Sequence, residues 1–452
     1  MAVPRSEDSR EPRPSGEFPG TKVTPERERT GFRYLLVQRD FALIWAAQVA
    51  AQLADKFLMF SLIILAYRLS RGSTPVAFTL LAYTVPAVGI APLAGVVADR
   101  YHRKTIMVVT NLVRAGLIAL IPLASLVPAL RGDFAHLLVI TFAFAAVGQL
   151  FSPAEAAAIP SVVRRETLIT ANSMVLATMV LTLVLGGVLA PVVSRIEIYA
   201  PYWFAVVLFM AAGALVLLAR IPRPDPDVRP EHRHPFHQLA IELKDGFAEL
   251  GRSPVLLLSF YQLALAVLVM FMMFTLAPAY VSQVLGIEEQ DSYVILLPAT
   301  VGALLSAAAL GQLGRRVRPP ALLVSALGAT GLTLVLLASA PYAMRHFEEL
   351  RSYTRWFASG FSLLLGLEFG ALLIPALTYL MEHTEDSVRG RIFSLLFMVV
   401  NGVSAVPVLL TAALSDWLGI SRVIGALGVL LAGTGVFMAR YARRVFEGVE
   451  RR

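Results

Sequence analysis

Two acidic residues lie deep inside long apolar stretches of the sequence. Asp55 stands about 22 Å along a helix from Asp40, and Glu368 stands about 20 Å along a helix from Arg355. A charged side chain near the centre of a bilayer costs about 2.5–3.5 kcal/mol on insertion scales, so each carboxyl group needs a function or a partner. A carboxyl group that exchanges protons could couple a proton gradient to solute movement, and Asp55 could instead bind a cationic substrate. A structural polar contact is the alternative for both residues.

A polar stripe leads to Asp55. Gln48, Gln52 and Asp55 stand at positions i, i+4 and i+7, which places them on one face of a helix. Lys56 follows Asp55 and lies about 100° around the same helix. Because lipid offers no polar partner, this face is expected to contact protein or water.

A later apolar stretch carries Tyr261 and Gln262, followed by large flexible and aromatic side chains from Met270 to Phe274. Thioethers and aromatic faces suit a permissive apolar pocket. Adjacent residues in such a run cover every face of a helix, so at most two of them are expected to line a pocket. Ordinary packing against lipid or protein is the alternative.

Arg114 and Glu155 also fall within apolar stretches. Arg114 lies about 14 Å beyond Lys104, and Glu155 lies about 14 Å before Arg164 along their helices. Matching depths on antiparallel neighbouring helices would allow contact. The spacing therefore predicts an intramembrane ion pair with a structural role.

The elements that hold these residues are predicted to be membrane-spanning helices. Of the 452 residues, 57% are hydrophobic and 15% are charged, whereas soluble proteins carry about 25% charged residues. The chain divides into twelve apolar stretches of bilayer-spanning length, and most of its 39 Lys and Arg residues fall in alternate loops. We therefore expect an all-α membrane protein of two six-helix bundles, with both termini cytoplasmic.

Five segments follow from this pattern. A disordered cytoplasmic tail is expected at residues 1–33, and a six-helix bundle at 34–220. A cytoplasmic linker with an amphipathic helix is expected at 221–253. A second six-helix bundle is expected at 254–443, and a cytoplasmic tail at 444–452.

Several function classes are disfavoured by what the sequence lacks. It has no cysteine, no Walker A motif, no His-Glu-x-x-His motif and no nucleophile elbow. We therefore expect no enzymatic activity, no metal and no cofactor. The basic loops lack interleaved aromatic residues, which argues against a nucleic-acid partner.

One loop carries a recognisable signature. Gly95, Asp99, Arg100, Arg103 and Lys104 follow the spacing Gly-x-x-x-Asp-Arg-x-x-Arg-Lys, which resembles the cytoplasmic signature of the major facilitator superfamily. Further stretches resemble its branch of enterobactin and macrolide exporters: Arg39-Asp40-Phe41, Phe151-Ser152-Pro153-Ala154, Ala171-Asn172-Ser173 and Arg389-Gly390-Arg391-Ile392-Phe393-Ser394.

The resemblance implies roles for several residues. In that superfamily the first, fourth, seventh and tenth spans line a central cavity. The residues that would then serve proton coupling or substrate binding are Asp55, Glu368, Gln48, Gln52, Gln262 and Tyr261.

A cytoplasmic gate is also implied. In related transporters the signature Asp meets the positive N-terminus of the eleventh span, so Asp99 would meet the helix that starts after Arg389 or pair with Arg391. Arg100, Arg103 and Lys104 would reach Glu382 in the facing loop. Topology anchoring alone is the alternative for these basic residues.

The function expected from the sequence is secondary active transport. A proton-coupled exporter of an amphipathic small molecule, such as a drug or siderophore, is the first hypothesis, with substrate, protons and lipid as partners of a monomer. A transporter of lysophospholipid or another lipid, or a metabolite importer, is the second. A transporter-shaped receptor or a membrane-embedded enzyme is the third.

Overall fold

The computed structural model describes residues 32–90, 101–128, 133–222, 254–313, 319–344, 353–382 and 404–450, with a few shorter stretches between these ranges. Within those ranges the regular structure is helical and contains no strand, so the all-α prediction is confirmed. Residues 1–31 of the predicted N-terminal tail and most of the predicted linker with its amphipathic helix lie outside the described residues, as do Gly95, Asp99, Arg100, Arg389 and Arg391. The last two residues of that predicted tail, Phe32 and Arg33, instead begin the first described helix.

The first half of the chain is built from eight described α-helices: α1 Phe32–Val37, α2 Arg39–Ser70, α3 Ser73–Thr84, α4 Pro86–Gly89, α5 Arg103–Ala124, α6 Ala135–Val162, α7 Leu168–Ile196 and α8 Ala200–Leu218. A 3₁₀ turn, Arg165–Thr167, joins α6 to α7. Arg71, in the left-handed conformation, ends α2.

The second half continues with six described α-helices: α9 Pro254–Ala279, α10 Tyr293–Leu313, α11 Pro319–Met344, α12 Thr354–Glu382, α13 Ala405–Leu418 and α14 Ile420–Glu450. A π-helical turn, Tyr280–Val284, extends α9, and a 3₁₀ turn, Glu289–Ser292, precedes α10.

Nine helices in the described part of the chain are long and apolar enough to cross a membrane, and three shorter apolar helices accompany them, Ser73–Gly89, Ser325–Ser339 and Ala405–Leu418. Large apolar side chains such as Val139, Trp417 and Phe437 project outward from the bundle. An outer surface of this kind suits lipid rather than water. The chain is therefore a multi-pass membrane protein, and the count of twelve spans and the side of each terminus stay predictions.

Each half packs mainly against itself. The most extensive helix contacts join α8 to α2 and to α5 in the first half, and α10 to α12 and α11 to α14 in the second. Small residues make the second-half contacts close. A Cβ on Gly366 would collide with the Ala299 carbonyl group, and Gly331 lies against the backbone of Gly428. Such contacts let helices associate in lipid, where apolar burial supplies little drive.

Candidate functional site

Asp55 lies at the centre of a charged cluster in the first half. Its Oδ1 accepts a hydrogen bond from Arg114 Nη2 of α5 at 2.5 Å, and its Oδ2 accepts one from the Tyr83 hydroxyl of α3, also at 2.5 Å. Lys56 Nζ lies 3.1 Å from the same Oδ2. The carboxylate thus joins α2, α3 and α5, and two cations surround it.

Aromatic rings enclose the Arg114 guanidinium. Its central carbon lies 4.3 Å from the ring centroid of Phe144 and 4.3 Å from that of Phe209. Gly148 of α6 lies beside the guanidinium, and a Cβ at this position would contact it at 3.5 Å. The Arg114 side chain is only 7% exposed. Cation–π contacts and the Asp55 carboxylate therefore replace the water that this charge would hold elsewhere.

The predicted pair between Arg114 and Glu155 does not form. Arg114 pairs with Asp55, while the buried Glu155 Oε1 has no hydrogen-bond partner among the described residues. The helix register explains the error, because Gly148 is the α6 residue level with Arg114. Glu155 lies two turns further along α6, about 10 Å away.

The residues of the polar stripe of α2 contact different neighbouring helices. Gln52 accepts a hydrogen bond from the Thr182 hydroxyl of α7 at 3.3 Å, whereas Asp55 turns toward α3 and α5. Gln48 is fully buried, and both of its side-chain amide atoms lack a partner in the described part of the chain. Gln48 therefore retains unused hydrogen-bonding capacity inside the first half.

Glu368 occupies a different environment on α12. Its Oε1 accepts a hydrogen bond from the Thr333 hydroxyl of α11 at 2.7 Å. Its Oε2 is buried and has no hydrogen-bond partner within the described ranges. The described ion pairs also include no basic partner for this carboxyl group. Glu368 thus contrasts with Asp55, which two cations neutralise.

An apolar cavity of about 220 Å³ lies between the two halves. The first half contributes Phe60 of α2 and Gly187 of α7, and the second half contributes most of the remaining wall. The described lining residues carry no charge; the polar ones are Tyr280, Thr300, Thr330 and Ser362. A cavity of this size and character suits an apolar group rather than a hydrated ion.

The prediction for the apolar stretch that carries Tyr261, Gln262 and the run from Met270 to Phe274 is partly corrected. Met270, Met273 and Phe274 all line the cavity, so the run supplies three lining residues rather than at most two. Their i, i+3, i+4 spacing forms one helix face. Tyr261 is 47% exposed on the bundle surface. Gln262 is buried, and its Nε2 lies 3.8 Å from the Met438 sulfur of α14.

The cavity wall does not include the other predicted substrate residues. Asp55, Glu368, Gln48 and Gln52 are absent from its described lining. Asp55 and Gln52 contact neighbouring helices of the first half, and Glu368 contacts α11, as described above. The cavity and the intramembrane charges are therefore adjacent features rather than one surface.

A set of polar contacts joins the two halves at the end where α2 finishes, which the positive-inside pattern predicts to be extracellular. Asp416 of α13 accepts hydrogen bonds from the backbone N–H groups of Ser73 and Thr74, at 2.7 and 2.8 Å. These are the first N–H groups of α3, so the Asp416 carboxylate caps a helix of the opposite half.

Two ion pairs accompany this cap. Arg71 Nη1 lies 3.4 Å from Glu289 Oε2, and Arg195 Nε lies 3.5 Å from Asp291 Oδ1. Arg195 also donates a hydrogen bond to the Tyr293 hydroxyl at 3.1 Å. We call these contacts and the Asp416 cap the inter-half clamp. Sequence analysis missed it because its charges stand at helix ends, where water makes them inexpensive and nothing marks them as unusual.

Loss of the Asp416 cap is expected to open this end of the molecule. Replacing a capping residue by alanine costs about 0.5–2 kcal/mol, so Asp416→Ala should raise access to the cavity about two- to thirtyfold. The chain has no native cysteine, so a single cysteine replacing the cavity residue Met273 can report access. We expect faster labelling by a membrane-impermeant maleimide added to intact cells.

Asp133→Ala is the matched control for that experiment. Asp133 Oδ1 accepts a hydrogen bond from Ala135 N at 3.1 Å and thus caps α6 within its own half. Labelling should stay unchanged in this variant. Equal acceleration in both variants, or none in Asp416→Ala, would show that the clamp does not control access.

At the opposite end, the described signature residues contact only their own half. Arg103 Nη1 donates to the Ala157 carbonyl oxygen of α6 at 2.8 Å. The Lys104 backbone N–H donates to His102 Nδ1 at 3.1 Å, which caps α5. The predicted gate partner Glu382 ends α12, and its side chain lies outside the described residues. The cytoplasmic gate therefore stays a prediction.

Comparison with known families identifies the fold. The model of the Major Facilitator Superfamily matches residues 44–408, which is most of the chain. The chain belongs to the major facilitator superfamily. Family and fold thus point to a membrane transporter.

Relatives of the chain carry the same superfamily assignment. YfiS of Bacillus subtilis (strain 168), described as an uncharacterized MFS-type transporter, is 23% identical over 406 residues, covering 88% of this chain and 92% of YfiS. YkuC of the same strain, described in the same words, is 26% identical over 189 residues, covering 41% of this chain and 43% of YkuC.

Solved structures share the fold at low sequence identity. The nucleoside transporter NupG superposes with a TM-score of 0.63 and 12% identity, covering 89% of this chain and 99% of NupG. A bacterial homolog of the human lysosomal transporter Spinster, in an inward-facing and unoccupied conformation, superposes with a TM-score of 0.64 and 12% identity. The match covers 92% of this chain and 96% of the homolog. These similarities establish the architecture of a major facilitator superfamily transporter.

Proposed function

We propose that this protein is a proton-coupled secondary exporter of an amphipathic small molecule that works by alternating access in the bacterial cytoplasmic membrane. The observation that carries the proposal is the apolar cavity between the halves, about 220 Å³ in volume, together with the clamp that joins the halves at one end. A cavity whose walls come from both halves changes its access whenever the halves move relative to each other.

The chemistry of the clamp suits a contact that must open in each cycle. Each ion pair joins a largely exposed arginine, Arg71 at 66% or Arg195 at 59%, to a carboxylate that is mostly buried, Glu289 at 7% or Asp291 at 19%. Ion pairs open to water contribute about 0–1 kcal/mol each, and the solvated arginines can leave their partners without losing hydration. The signature loop around Asp99 would make the equivalent contacts at the cytoplasmic end when the clamp is open. Mutually exclusive closure of the two ends is what alternating access requires.

Glu368 is our candidate for the proton carrier. A buried carboxylate without a cation is costly, and protonation removes that cost. Thr333 holds one oxygen and leaves the other free to exchange a proton. Asp55 serves proton exchange less well in this state, because Arg114 and Lys56 compensate its charge.

The export direction rests on the resemblance of the signature and flanking motifs to the enterobactin and macrolide exporters. Lipid transport and metabolite import are the competing functions, and both are outcomes of the following test.

The test uses inside-out membrane vesicles that hold an imposed pH gradient. Anionic, neutral and cationic amphiphiles are added in turn, and loss of the gradient is followed with a pH-sensitive dye. We expect at least one amphiphile to dissipate the gradient in the wild type. Glu368→Gln should abolish that response while retaining binding of the same compound.

Glu197→Gln is the control, because Glu197 is an exposed carboxylate at the end of α7 that bonds locally to the Tyr199 backbone N–H. Normal activity is expected in this variant. If no amphiphile dissipates the gradient while lipid is translocated, the exporter proposal fails and lipid transport replaces it.

A further inference from the structure

We infer that the solute is an amphiphilic anion, whose hydrocarbon part occupies the apolar cavity and whose acidic head lies at Lys56. The inference names a substrate class for the proposed function and rests on it. Its evidence is the position of Lys56 beside the cavity, the charge balance around Asp55, and the uncharged character of the cavity wall.

Lys56 lies one helical turn from the cavity. Phe60, four residues further along α2, lines the cavity and contacts Gly187 of α7. Lys56 packs so closely against Gly186 of α7 that a Cβ added to this glycine would collide with Lys56. One turn corresponds to about 5.4 Å. The Lys56 side chain, with four carbons and a flexible stem, spans that distance easily.

The charge cluster favours an anion. Asp55 contributes one negative charge, whereas Lys56 and Arg114 contribute two positive charges. Both carboxylate oxygens of Asp55 already accept hydrogen bonds, Oδ1 from Arg114 and Oδ2 from Tyr83 and Lys56. A cationic head would therefore find Asp55 occupied and would be repelled by the surplus positive charge.

Lys56 retains capacity for a ligand. An ammonium group has three N–H donors, and Asp55 takes one of them in the described part of the chain. The Lys56 side chain is 27% exposed, against 7% for Arg114. Lys56 is thus the more exposed cation of the cluster and the one we assign to the solute, while Arg114 holds the network in place.

The cavity itself is suited to hydrocarbon. Phe60, Phe274 and Leu296 line it, and the same cluster of side chains includes Tyr83, whose hydroxyl contacts Asp55. Tyr83 is not part of the described cavity wall, but it packs against the side chains that line it and so places the charged cluster beside the cavity. An amphiphile with an apolar chain and an acidic head matches this sequence of surfaces.

The test compares two probes with the same chain length, laurate and dodecyltrimethylammonium. The full-length protein is placed in phosphatidylcholine nanodiscs, and each probe displaces dansylaminoundecanoic acid, with empty nanodiscs as the background. We expect laurate to bind at least about tenfold more tightly than the cation, since one charge-assisted hydrogen bond contributes about 1.5–3 kcal/mol.

Variants locate the site. Lys56→Met should weaken laurate binding about tenfold and leave the cation unchanged or improved, whereas Lys56→Arg should retain the preference for laurate. Met273→Trp, which fills the cavity, should weaken both probes. Equal or tighter binding of the cation, or an unchanged ratio in Lys56→Met, would overturn the inference and leave the exporter proposal standing. Binding of neither probe would also overturn the inference, and the exporter proposal would then depend on the neutral amphiphiles of the vesicle test.

Discussion

Asp55→Asn is expected to lower the free energy of unfolding by about 3–5 kcal/mol, because it leaves the buried Arg114 guanidinium without its carboxylate partner. Arg114 is enclosed by Phe144 and Phe209 and is only 7% exposed, so water cannot replace Asp55. The variant also leaves Lys56 and Arg114 as two uncompensated cations. Thermal unfolding of the purified protein in detergent, followed by size-exclusion chromatography, measures the loss.

A double substitution separates charge pairing from general damage. Combining Asp55→Asn with Arg114→Met removes both buried charges and keeps a side chain that fits between the two rings. We expect the double variant to recover a large part of the lost stability, since replacing a buried pair by apolar groups is often neutral. Additive losses in the double variant would contradict the pairing, as would a loss below about 1 kcal/mol in Asp55→Asn alone.

Gly366→Val is expected to abolish folding of the second half. The added side chain would occupy the place of the Ala299 backbone, where α10 and α12 meet. Backbone cannot move aside as a flexible side chain can, so the two helices must separate along their contact. We expect the yield of monodisperse protein to fall at least about tenfold, measured by fluorescence-detected size-exclusion chromatography of a tagged chain.

Gly360→Val provides the matched control in the same helix. A Cβ at Gly360 meets no atom within 4 Å among the described residues, and both variants make the same exchange of glycine for valine within a helix, so the change in helix propensity is matched. Normal yield is expected for Gly360→Val. Equal yields for the two variants would mean that the close contact between α10 and α12 is not needed for folding.

The fold could be predicted from the sequence because its signals are strong and local. Apolar length predicts helices that span a membrane, and the five signature residues from Gly95 to Lys104 led to the superfamily that the family comparison establishes. The number of spans is less accessible, since α3 and α13 are shorter than a full crossing.

The candidate site was only partly predictable. Asp55 and Glu368 were identified because a charge in an apolar stretch is costly wherever it lies. Their partners depend on how helices slide past one another, which sequence does not specify. Gly148 is the α6 residue that lies level with Arg114, so Glu155, two turns further along α6, is too far away to pair with it. Asp416 escaped notice because a carboxylate at a helix end carries no such cost.

The most direct test of alternating access measures two distances by double electron–electron resonance. Spin labels at Arg68 and Arg422 report the clamp end, and labels at Val37 and Arg440 report the opposite end; all four side chains are exposed or lie at helix ends. In a variant combining Asp416→Ala with Arg195→Gln, we predict that the first distance lengthens while the second shortens. Lengthening at the clamp end with no change at the other end would contradict the account.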